Sequence, residues 1–280
     1  MIRLPSHAGS FYKRSSNFLR EEIEQCFLDK SGPGKIPKLG KGPRRIVSLV
    51  CPHAGLMYSG SVAANAYYYA ACDGKPSTVV IIGPNHTGYG SGISIMLEGV
   101  WRTPFGDIEI DRALAKEIYK NSKFIDIDEI GHRFEHSIEV QLPFLQYIYG
   151  TAFKLVPICM MMQDLDTSID LGESIADSIL RNDVLIIASS DLSHYVSQKT
   201  AEAKDHFVIS AILNLNSIEL QSVVESENIS MCGYGPVSAT IVASKKLNAL
   251  ESKLLAYKTS GDITGDYSQV VGYASFVISK

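Results

Sequence analysis

The sequence predicts an α/β fold: a single-domain sandwich over residues 1–280, in which a central, mainly parallel or mixed sheet is flanked by helices. Short apolar runs alternate along the chain with longer segments of helical periodicity, without an internal repeat or a clear linker. Three of these runs, at residues 46–50, 79–82 and 184–188, show no polar alternation, which is typical of strands buried on both faces. This arrangement favours a layered α/β architecture.

The composition is that of an ordinary globular protein and excludes several classes of function. The chain has 280 residues, 45% hydrophobic and 20% charged, which is enough for a sizeable core. A net charge of −4 and a pI near 6.0 give no electrostatic basis for nucleic-acid binding. No apolar run approaches the roughly 20 residues that span a bilayer, and the first residues lack the features of a signal peptide. Five cysteines without a C-x-x-C pair argue against a disulfide framework, so we expect a cytoplasmic protein.

The individual elements follow from apolar spacing and from capping residues. Leu19, Ile23 and Phe27 recur at four-residue intervals and predict an amphipathic helix over 17–28, before a Gly- and Pro-rich loop over 31–45. Asp111 is expected to cap a helix that ends near residue 121. Pro143 lies inside a periodic segment over 136–149 and predicts a kink or a late helix start. The other predicted helices cover residues 59–72, 169–180, 201–215, 217–227 and 236–250, and the other predicted strands cover 93–97, 153–158, 253–258 and 270–278.

Each of the three buried strands ends in a small turn that carries a histidine. The turns over 51–55, 83–86 and 189–194 carry His53, His86 and His194. In an open α/β sheet, ligands bind just beyond the carboxyl ends of the strands, so we expect these imidazoles to converge on one pocket. Neutral imidazole is a common metal ligand, and its other nitrogen needs an orienting acceptor. The pattern predicts a metal or acid/base site, to which Asp191 supplies either that acceptor or a supporting contact.

A fourth turn carries a cysteine that is a candidate reactive or metal-binding residue. Cys232 lies in a glycine-flanked turn over 230–236, immediately before a predicted helix. A thiol near a helix N-terminus has a lowered pKa and is suited to act as a nucleophile or a soft metal ligand. The alternative is a small buried residue at a tight turn, and the sequence leaves both interpretations open.

The stretch from His132 to His136 spells H-x-x-E-H, a motif of zinc proteases. Gly131 directly before it argues against the long, stable helix that such a site requires. In a second interpretation, His136 and Glu139 share one helix face at i, i+3 and reach into the histidine pocket. The glycine-rich turn over 83–88 lacks the G-K-[ST] ending of a phosphate-binding loop, so nucleotide binding is unsupported.

Taken together, six short motifs resemble the MEMO family, which in microbes is also the MEMO part of the AmmeMemoRadiSam system. The motifs run in family order along nearly the whole chain: Ala8-Gly9-Ser10-Phe11-Tyr12, Pro52-His53-Ala54-Gly55, Gly83-Pro84-Asn85-His86, Glu135-His136-Ser137-Ile138-Glu139, Ser189-Ser190-Asp191 with His194, and Cys232-Gly233. The family is similar in fold to the class III extradiol (LigB-like) dioxygenases, so the resemblance implies that fold here.

The resemblance also implies roles for individual residues. His53, His86 and Cys232 match the positions that bind a metal in MEMO proteins, with iron(II) as the expected ion and copper or zinc as alternatives. His194 matches a pocket histidine that serves as an acid/base in the dioxygenases, and Asp191 matches a pocket aspartate. A thiolate stands where the dioxygenases have a carboxylate ligand, so ring cleavage does not follow from the resemblance.

The sequence and the resemblance leave three alternative functions open. The first is a mononuclear non-haem iron oxidoreductase, in which His194 moves a proton and Asp191 or Glu139 orients it. The second is a non-catalytic module that uses the same pocket to bind a peptide or to hold a metal. The third is a hydrolase built on His132 and His136. The expected partners are an unknown small molecule or peptide, with a functional link to AMMECR1-like and radical SAM proteins and with neither nucleic acid nor membrane involved.

Overall fold

The computed structural model describes residues 1–179 and 183–280. The strands are β1 (Ile2–Arg3), β2 (Ile46–Cys51), β3 (Thr78–Pro84), β4 (Ile93–Ile95), β5 (Val100–Thr103), β6 (Gly106–Glu109), β7 (Ile125–Ile127), β8 (Lys154–Met160), β9 (Val184–Ser189), β10 (His194–Val196), β11 (Glu251–Thr259) and β12 (Val270–Ser279). The helices are α1 (Ser16–Leu28), α2 (Leu56–Asp73), α3 (Arg112–Asn121), α4 (Leu142–Tyr149), α5 (Leu165–Ile179), α6 (Gln198–Leu213), α7 (Ser217–Ser226), α8 (Tyr234–Lys246) and α9 (Gly261–Thr264), with short 3-10 turns at Ile130–His132 and Glu139–Gln141.

Within the described ranges, nine strands form one mixed sheet in the order β10-β12-β2-β9-β3-β8-β4-β7, with β11 paired to β12. The central strands β2, β9, β3 and β8 run parallel to one another. On either side of this parallel centre, β12 and β4 pair antiparallel to their neighbours. A small second sheet joins β1, β5 and β6. The predicted α/β fold, a mixed sheet flanked by helices, is confirmed.

The three strands that precede the histidines lie side by side at the buried centre of the sheet. Every residue of β3 and β9 is buried, which explains why these runs lack polar alternation. In β2, Leu49 and Val50 belong to different hydrophobic clusters, because successive side chains of a strand point to opposite faces. Tyr67 of α2 packs in the first cluster and Ile241 of α8 in the second, so helices cover both faces. Each aliphatic side chain buried in this way contributes about 1.5–3 kcal/mol.

The parallel register brings the three histidine-bearing turns to one edge of the sheet. Cys51 at the end of β2 pairs with Ser189 at the end of β9, and Ile82 of β3 pairs with Ala188. The turns that follow therefore leave the sheet at the same level. This confirms the predicted convergence at the carboxyl edge, which positions the site.

Most predicted elements are present with ends shifted by a few residues. The segment over 136–149 differs most, because α4 begins only at Leu142, with Pro143 in its first turn. The late helix start is confirmed, but His136 and Glu139 do not share a helix face, so that prediction is wrong. The helix predicted over 169–180 corresponds to α5, and residue 180 lies outside the described residues. No helix in the described part of the chain combines the length and apolar character needed to cross a membrane.

Candidate metal centre

His53 follows β2 and is buried. Its Nδ1 lies 2.9 Å from Oγ of Ser189, which ends the adjacent strand β9. That hydroxyl donates its only proton to the Ser137 carbonyl at 2.7 Å and accepts a hydrogen bond from Gln141 Nε2 at 2.7 Å. Ser189 Oγ can therefore only accept from His53, which places the imidazole proton on Nδ1. Nε2 of His53 keeps its lone pair free for a metal.

A carboxylate orients the second histidine. Nδ1 of His86 lies 2.9 Å from Glu135 Oε1, and the backbone N–H of His86 donates to the same carboxylate. The backbone N–H groups of His136 and Ser137 also donate to it, both at 2.9 Å. Burial alone would raise the pKa of Glu135, but the hydrogen bonds from the ring and backbone of His86, together with the other donors, outweigh burial and lower the pKa to about 2. An ionised Glu135 only accepts, so the His86 proton lies on Nδ1 and Nε2 is free.

Cys232 comes from the turn in front of α8. Its Sγ lies 3.2 Å from His53 Nε2 and accepts the backbone N–H of Asp191 at 3.3 Å. Burial, followed by the negative charge of Asp191, raises the pKa of the Cys232 thiol. A thiol with a raised pKa is a poor free nucleophile at neutral pH, whereas a coordinated cation deprotonates it. The surroundings therefore favour the interpretation of Cys232 as a soft metal ligand.

The three side chains bring three ligand atoms together. One atom each from His53, His86 and Cys232 forms a group in which all lie within 4.8 Å of one another. Two imidazoles and a thiolate are a donor set that suits iron, copper or zinc. Because both histidines are held with Nε2 free, the residues fit a single ion. Three protein ligands leave coordination positions open, as in catalytic rather than structural metal sites.

A second group, formed by His86, Glu135 and His136, meets the same distance criterion. Its carboxylate is already occupied by N–H donors, and Nδ1 of His86 is one of them. An ion at this point would have to displace those hydrogen bonds. His136 stacks on His86 with ring centroids 4.5 Å apart, and burial lowers its pKa to about 4, so it is neutral at pH 7. This group therefore orients His86 and packs against it.

His194 opens β10 beside the ligand group. Its Nδ1 lies 2.8 Å from the carbonyl oxygens of Leu192 and Ser230. Because carbonyl oxygens only accept, Nδ1 carries the proton and Nε2 is the basic nitrogen. Ser230 stands two residues before Cys232, so His194 lies beside the turn that carries this candidate ligand. His194 is not one of the three ligand atoms.

Asp191 supports the ligands through the backbone. It is buried, and its Oδ1 accepts the backbone N–H of His53 at 2.8 Å. Burial raises the pKa of Asp191, while the hydrogen bond from His53 and the charge of His194 oppose that shift. The acceptors for His194 Nδ1 are the carbonyls of Leu192 and Ser230, so the contact that Asp191 supplies is to the metal-ligand segments.

Glu139 faces the N-terminal segment. Its carboxylate is fully buried, pairs with Arg3, and accepts hydrogen bonds from the Tyr12 hydroxyl at 2.6 Å and the backbone N–H of His7 at 2.9 Å. These contacts dock the N-terminal segment, whose His7 ring lies 5.5 Å from the ring of His136. The structure therefore brings His136 to the ligand group, and it commits Glu139 to holding the segment beside that group.

The H-x-x-E-H stretch does not form a zinc-protease site. Residues 133–136 are not helical, and His132 is buried with its Nε2 3.1 Å from the Ser94 carbonyl. The His132 ring packs against Trp101, whereas His136 stacks on His86. The two histidines share no ligand group among residues 1–179 and 183–280, so the geometry that the hydrolase hypothesis requires is not formed there.

Sequence reasoning missed the residues that orient the ligands. Ser189 and Glu135 lie within the motifs that carry the family resemblance, but these motifs do not indicate that the two residues contact His53 and His86. Gln141 carried no signal at all, because its contact with Ser189 depends on a 3-10 turn and on strand register. These contacts join segments 48 to 136 residues apart.

The fold and the ligand group define an α/β protein with a candidate mononuclear metal centre at the carboxyl edge of its sheet. The chain belongs to the Memo-like protein family, whose model matches residues 3–277. It is 48% identical over 282 residues to a MEMO1 family protein of Methanopyrus kandleri, with 100% of each chain covered. It is 50% identical over 276 residues to a MEMO1 family protein of Methanothermobacter thermautotrophicus, covering 98% of this chain and 99% of that one. The resemblance that the six motifs carry is confirmed.

A solved structure agrees with the fold. The crystal structure of an uncharacterized protein from Escherichia coli K12 matches with a TM-score of 0.59 and 12% sequence identity, covering 83% of this chain and 100% of that chain. At this level of identity the match supports the architecture alone.

Replacing Ser189 with alanine is expected to weaken metal binding by about 10–100-fold, because the proton on His53 Nδ1 loses its acceptor and Nε2 is no longer held as the free nitrogen. Titration of the metal-free variant with zinc against a chromophoric chelator measures this. Ser48→Ala is the matched control, since it removes a buried hydroxyl of the same sheet that forms a hydrogen bond with Ser244 of α8. Equal affinities for the Ser189→Ala and Ser48→Ala variants would show that the hydroxyl does not orient His53.

Proposed function

We propose that the protein is a mononuclear metal-dependent oxidoreductase that holds iron(II) through His53, His86 and Cys232. The group of three ligand atoms carries this proposal, because each imidazole is fixed with Nε2 as its free nitrogen. Structural sites usually supply four protein ligands, whereas three leave room for a substrate or dioxygen. The thiolate is soft and also suits copper(I), which is the main alternative ion, followed by zinc.

Iron(II), when bound, would supply redox and Lewis-acid chemistry in this pocket. A side chain of the protein, rather than the ion, moves the proton. Hydrogen bonds to two carbonyl oxygens hold His194 with Nδ1 protonated, so Nε2 accepts a proton from the substrate and later returns it. Buried Asp191 stands three residues before His194 in the same turn, and its negative charge stabilises the imidazolium while it holds the proton.

The N-terminal segment limits access to the same pocket. Phe11 packs on His136 with ring centroids 4.6 Å apart, and His7 packs on both of these rings. The rings form an aromatic wall beside His86. This wall covers one side of the ligand group, in which His86 itself remains exposed to solvent.

The resemblance of the MEMO family to extradiol dioxygenases supports redox chemistry. In those enzymes the third ligand is a carboxylate, and here a thiolate donates more electron density to the ion. The proposal therefore covers oxidation of a small molecule or peptide and does not include ring cleavage.

His194→Gln tests the proposed acid/base. We expect the variant to bind iron(II) as tightly as the unmodified protein and to consume dioxygen about 100-fold more slowly, since general acid–base catalysis contributes roughly 10²–10⁴-fold. Anaerobic loading with iron(II), followed by oxygen uptake with ascorbate as reductant, measures both quantities. The matched control is His206→Gln on α6, a histidine outside the ligand group.

Two outcomes would contradict the proposal. If the iron-loaded protein takes up no more than one equivalent of dioxygen per iron, the pocket holds a metal without turnover and serves as a binding module. If His194→Gln consumes dioxygen at the original rate, His194 is not the proton-transfer group.

A further inference from the structure

We propose that Gln163 is a positioning residue that holds Cys232 in place for metal binding, an inference that rests on the proposed metal site. Gln163 lies three residues beyond β8, the strand that pairs in parallel with β3. The fourth strand of the parallel centre therefore also delivers a side chain to the edge where the histidines converge. In contrast to β2 and β3, which lead to the candidate ligands His53 and His86, this strand leads to a residue that holds a ligand rather than to a ligand itself.

The side-chain amide of Gln163 bridges both sides of the turn at Cys232. Its Nε2 donates to the backbone carbonyl of Cys232 at 2.9 Å, and its Oε1 accepts the backbone N–H of Gly235 at 2.9 Å. The planar amide of Gln163 therefore holds the backbone of both Cys232 and Gly235. One of the two anchored groups is the carbonyl of Cys232 itself, so the backbone that carries the thiol is held by Gln163.

The hydrogen bond from Gly235 to Gln163 also caps the start of α8. The helix begins at Tyr234, and Gly233 in the N-cap position offers no side chain to accept the first N–H groups. Gln163 accepts the N–H of Gly235, Ser190 Oγ accepts the N–H of Gly233 at 3.0 Å, and Pro236 has no N–H. Side chains from two other loops therefore fix the first turn of α8, and with it the turn that carries Cys232.

The packing around Gln163 indicates that this arrangement is rigid. A Cβ atom on Gly235 would lie 2.7 Å from Cβ of Gln163, so the close approach requires glycine at 235. The backbone carbonyl of Gln163 accepts a hydrogen bond from Gln221 Nε2 at 2.8 Å. The amide is thus held before any metal binds, which lowers the entropic cost of bringing the thiolate to the ion.

Cobalt(II) binding to the full chain tests the inference, because cobalt(II) thiolates show a near-ultraviolet charge-transfer band that imidazole ligands lack. For Gln163→Ala we expect a weaker band and about 10–100-fold lower cobalt(II) affinity. Gln163→Glu still accepts from Gly235 but cannot donate to the Cys232 carbonyl, so we expect a stable α8 with the same loss of the thiolate band. Gln25→Ala, on the exposed side of α1, is the matched control and should behave like the unmodified protein.

The outcomes separate this inference from the proposed site. If the unmodified protein binds cobalt(II) without a thiolate band, or if Cys232→Ser has the same spectrum, the proposed ligand set itself is wrong. If the unmodified protein shows the band and both Gln163 variants keep its intensity and the cobalt(II) affinity, Gln163 does not position Cys232. Should Gln163→Ala fail to fold, the glutamate variant alone decides, because it preserves the acceptor at the start of α8.

Discussion

Replacing Cys232 with serine is expected to lower iron(II) affinity by more than about 100-fold, beyond the 10–100-fold effect typical of losing a group that only orients a ligand. The reason is the loss of the one anionic ligand in the group of three. A serine hydroxyl is a neutral, hard donor, and a cation held by two imidazoles alone keeps most of its water. Competition between the anaerobic protein and a chromophoric iron(II) chelator measures the affinity.

The control for this experiment is Cys72→Ser. Cys72 is the exposed free cysteine at the end of α2, so its replacement changes sulfur content without touching the site. We expect its iron(II) affinity to match that of the unmodified protein. Equal affinities for the Cys232→Ser variant and this control would remove Cys232 from the ligand set and leave the two histidines as the only supported ligands.

Glu139→Ala is expected to lower the free energy of unfolding by about 3–5 kcal/mol, because it leaves the guanidinium of Arg3 buried without a counter-charge. The carboxylate is also the acceptor for Tyr12 and for the backbone of His7, so the N-terminal segment loses its anchor. Urea unfolding at pH 7 measures the change. Glu117→Ala removes an exposed ion pair to Lys120 and is expected to change stability by less than about 1 kcal/mol.

A double variant separates the charge from the packing. Arg3→Met with Glu139→Leu removes both charges and should recover part of the stability, because a buried ion pair gives little net stabilisation over apolar residues of similar volume. If the free energy of unfolding of the Glu139→Ala variant lies within about 1 kcal/mol of that of the unmodified protein, this carboxylate does not have the structural role assigned to it.

The pH dependence of stability follows from the same residue. Burial alone would raise the pKa of Glu139, but the charge of Arg3 and hydrogen bonds from Tyr12 and His7 outweigh burial and lower the pKa from its ordinary value of 4.5. A carboxyl with a lowered pKa stabilises the fold fully above its unfolded pKa, and this contribution is lost as the pH falls through the folded value. We therefore expect the free energy of unfolding of the Glu139→Gln variant to fall less than that of the unmodified protein as the pH is lowered below about 5.

The sequence alone was sufficient to predict the central sheet. Strands β2, β3 and β9 are mostly apolar and show no polar alternation, a pattern that is recognisable in a sequence because burial on both faces disfavours polar residues. The short strands β1, β5 and β6 escaped prediction, since two to four residues are too few to show a period. Helix α4 was predicted too long because the apolar spacing continues upstream of Pro143 into residues that form turns.

The candidate site was predictable in outline and not in detail. Repetition of a strand followed by a histidine located His53, His86 and His194 at one edge, because the rule for ligand sites in α/β sheets depends on topology alone. The family resemblance, rather than the repeat, distinguished His194 from His53 and His86, the two candidate metal ligands. Glu139 shows the limit of spacing arguments, since its contacts with Arg3 are set by chain segments more than a hundred residues away.

X-ray absorption spectroscopy of the anaerobic iron(II)-loaded protein shows whether one metal ion binds to His53, His86 and Cys232. We expect one sulfur scatterer and two imidazole scatterers per iron, with the sulfur absent in Cys232→Ser. A spectrum of nitrogen and oxygen scatterers only, unchanged in that variant, would contradict this ligand set and place the iron elsewhere, for instance at the group formed by His86, Glu135 and His136.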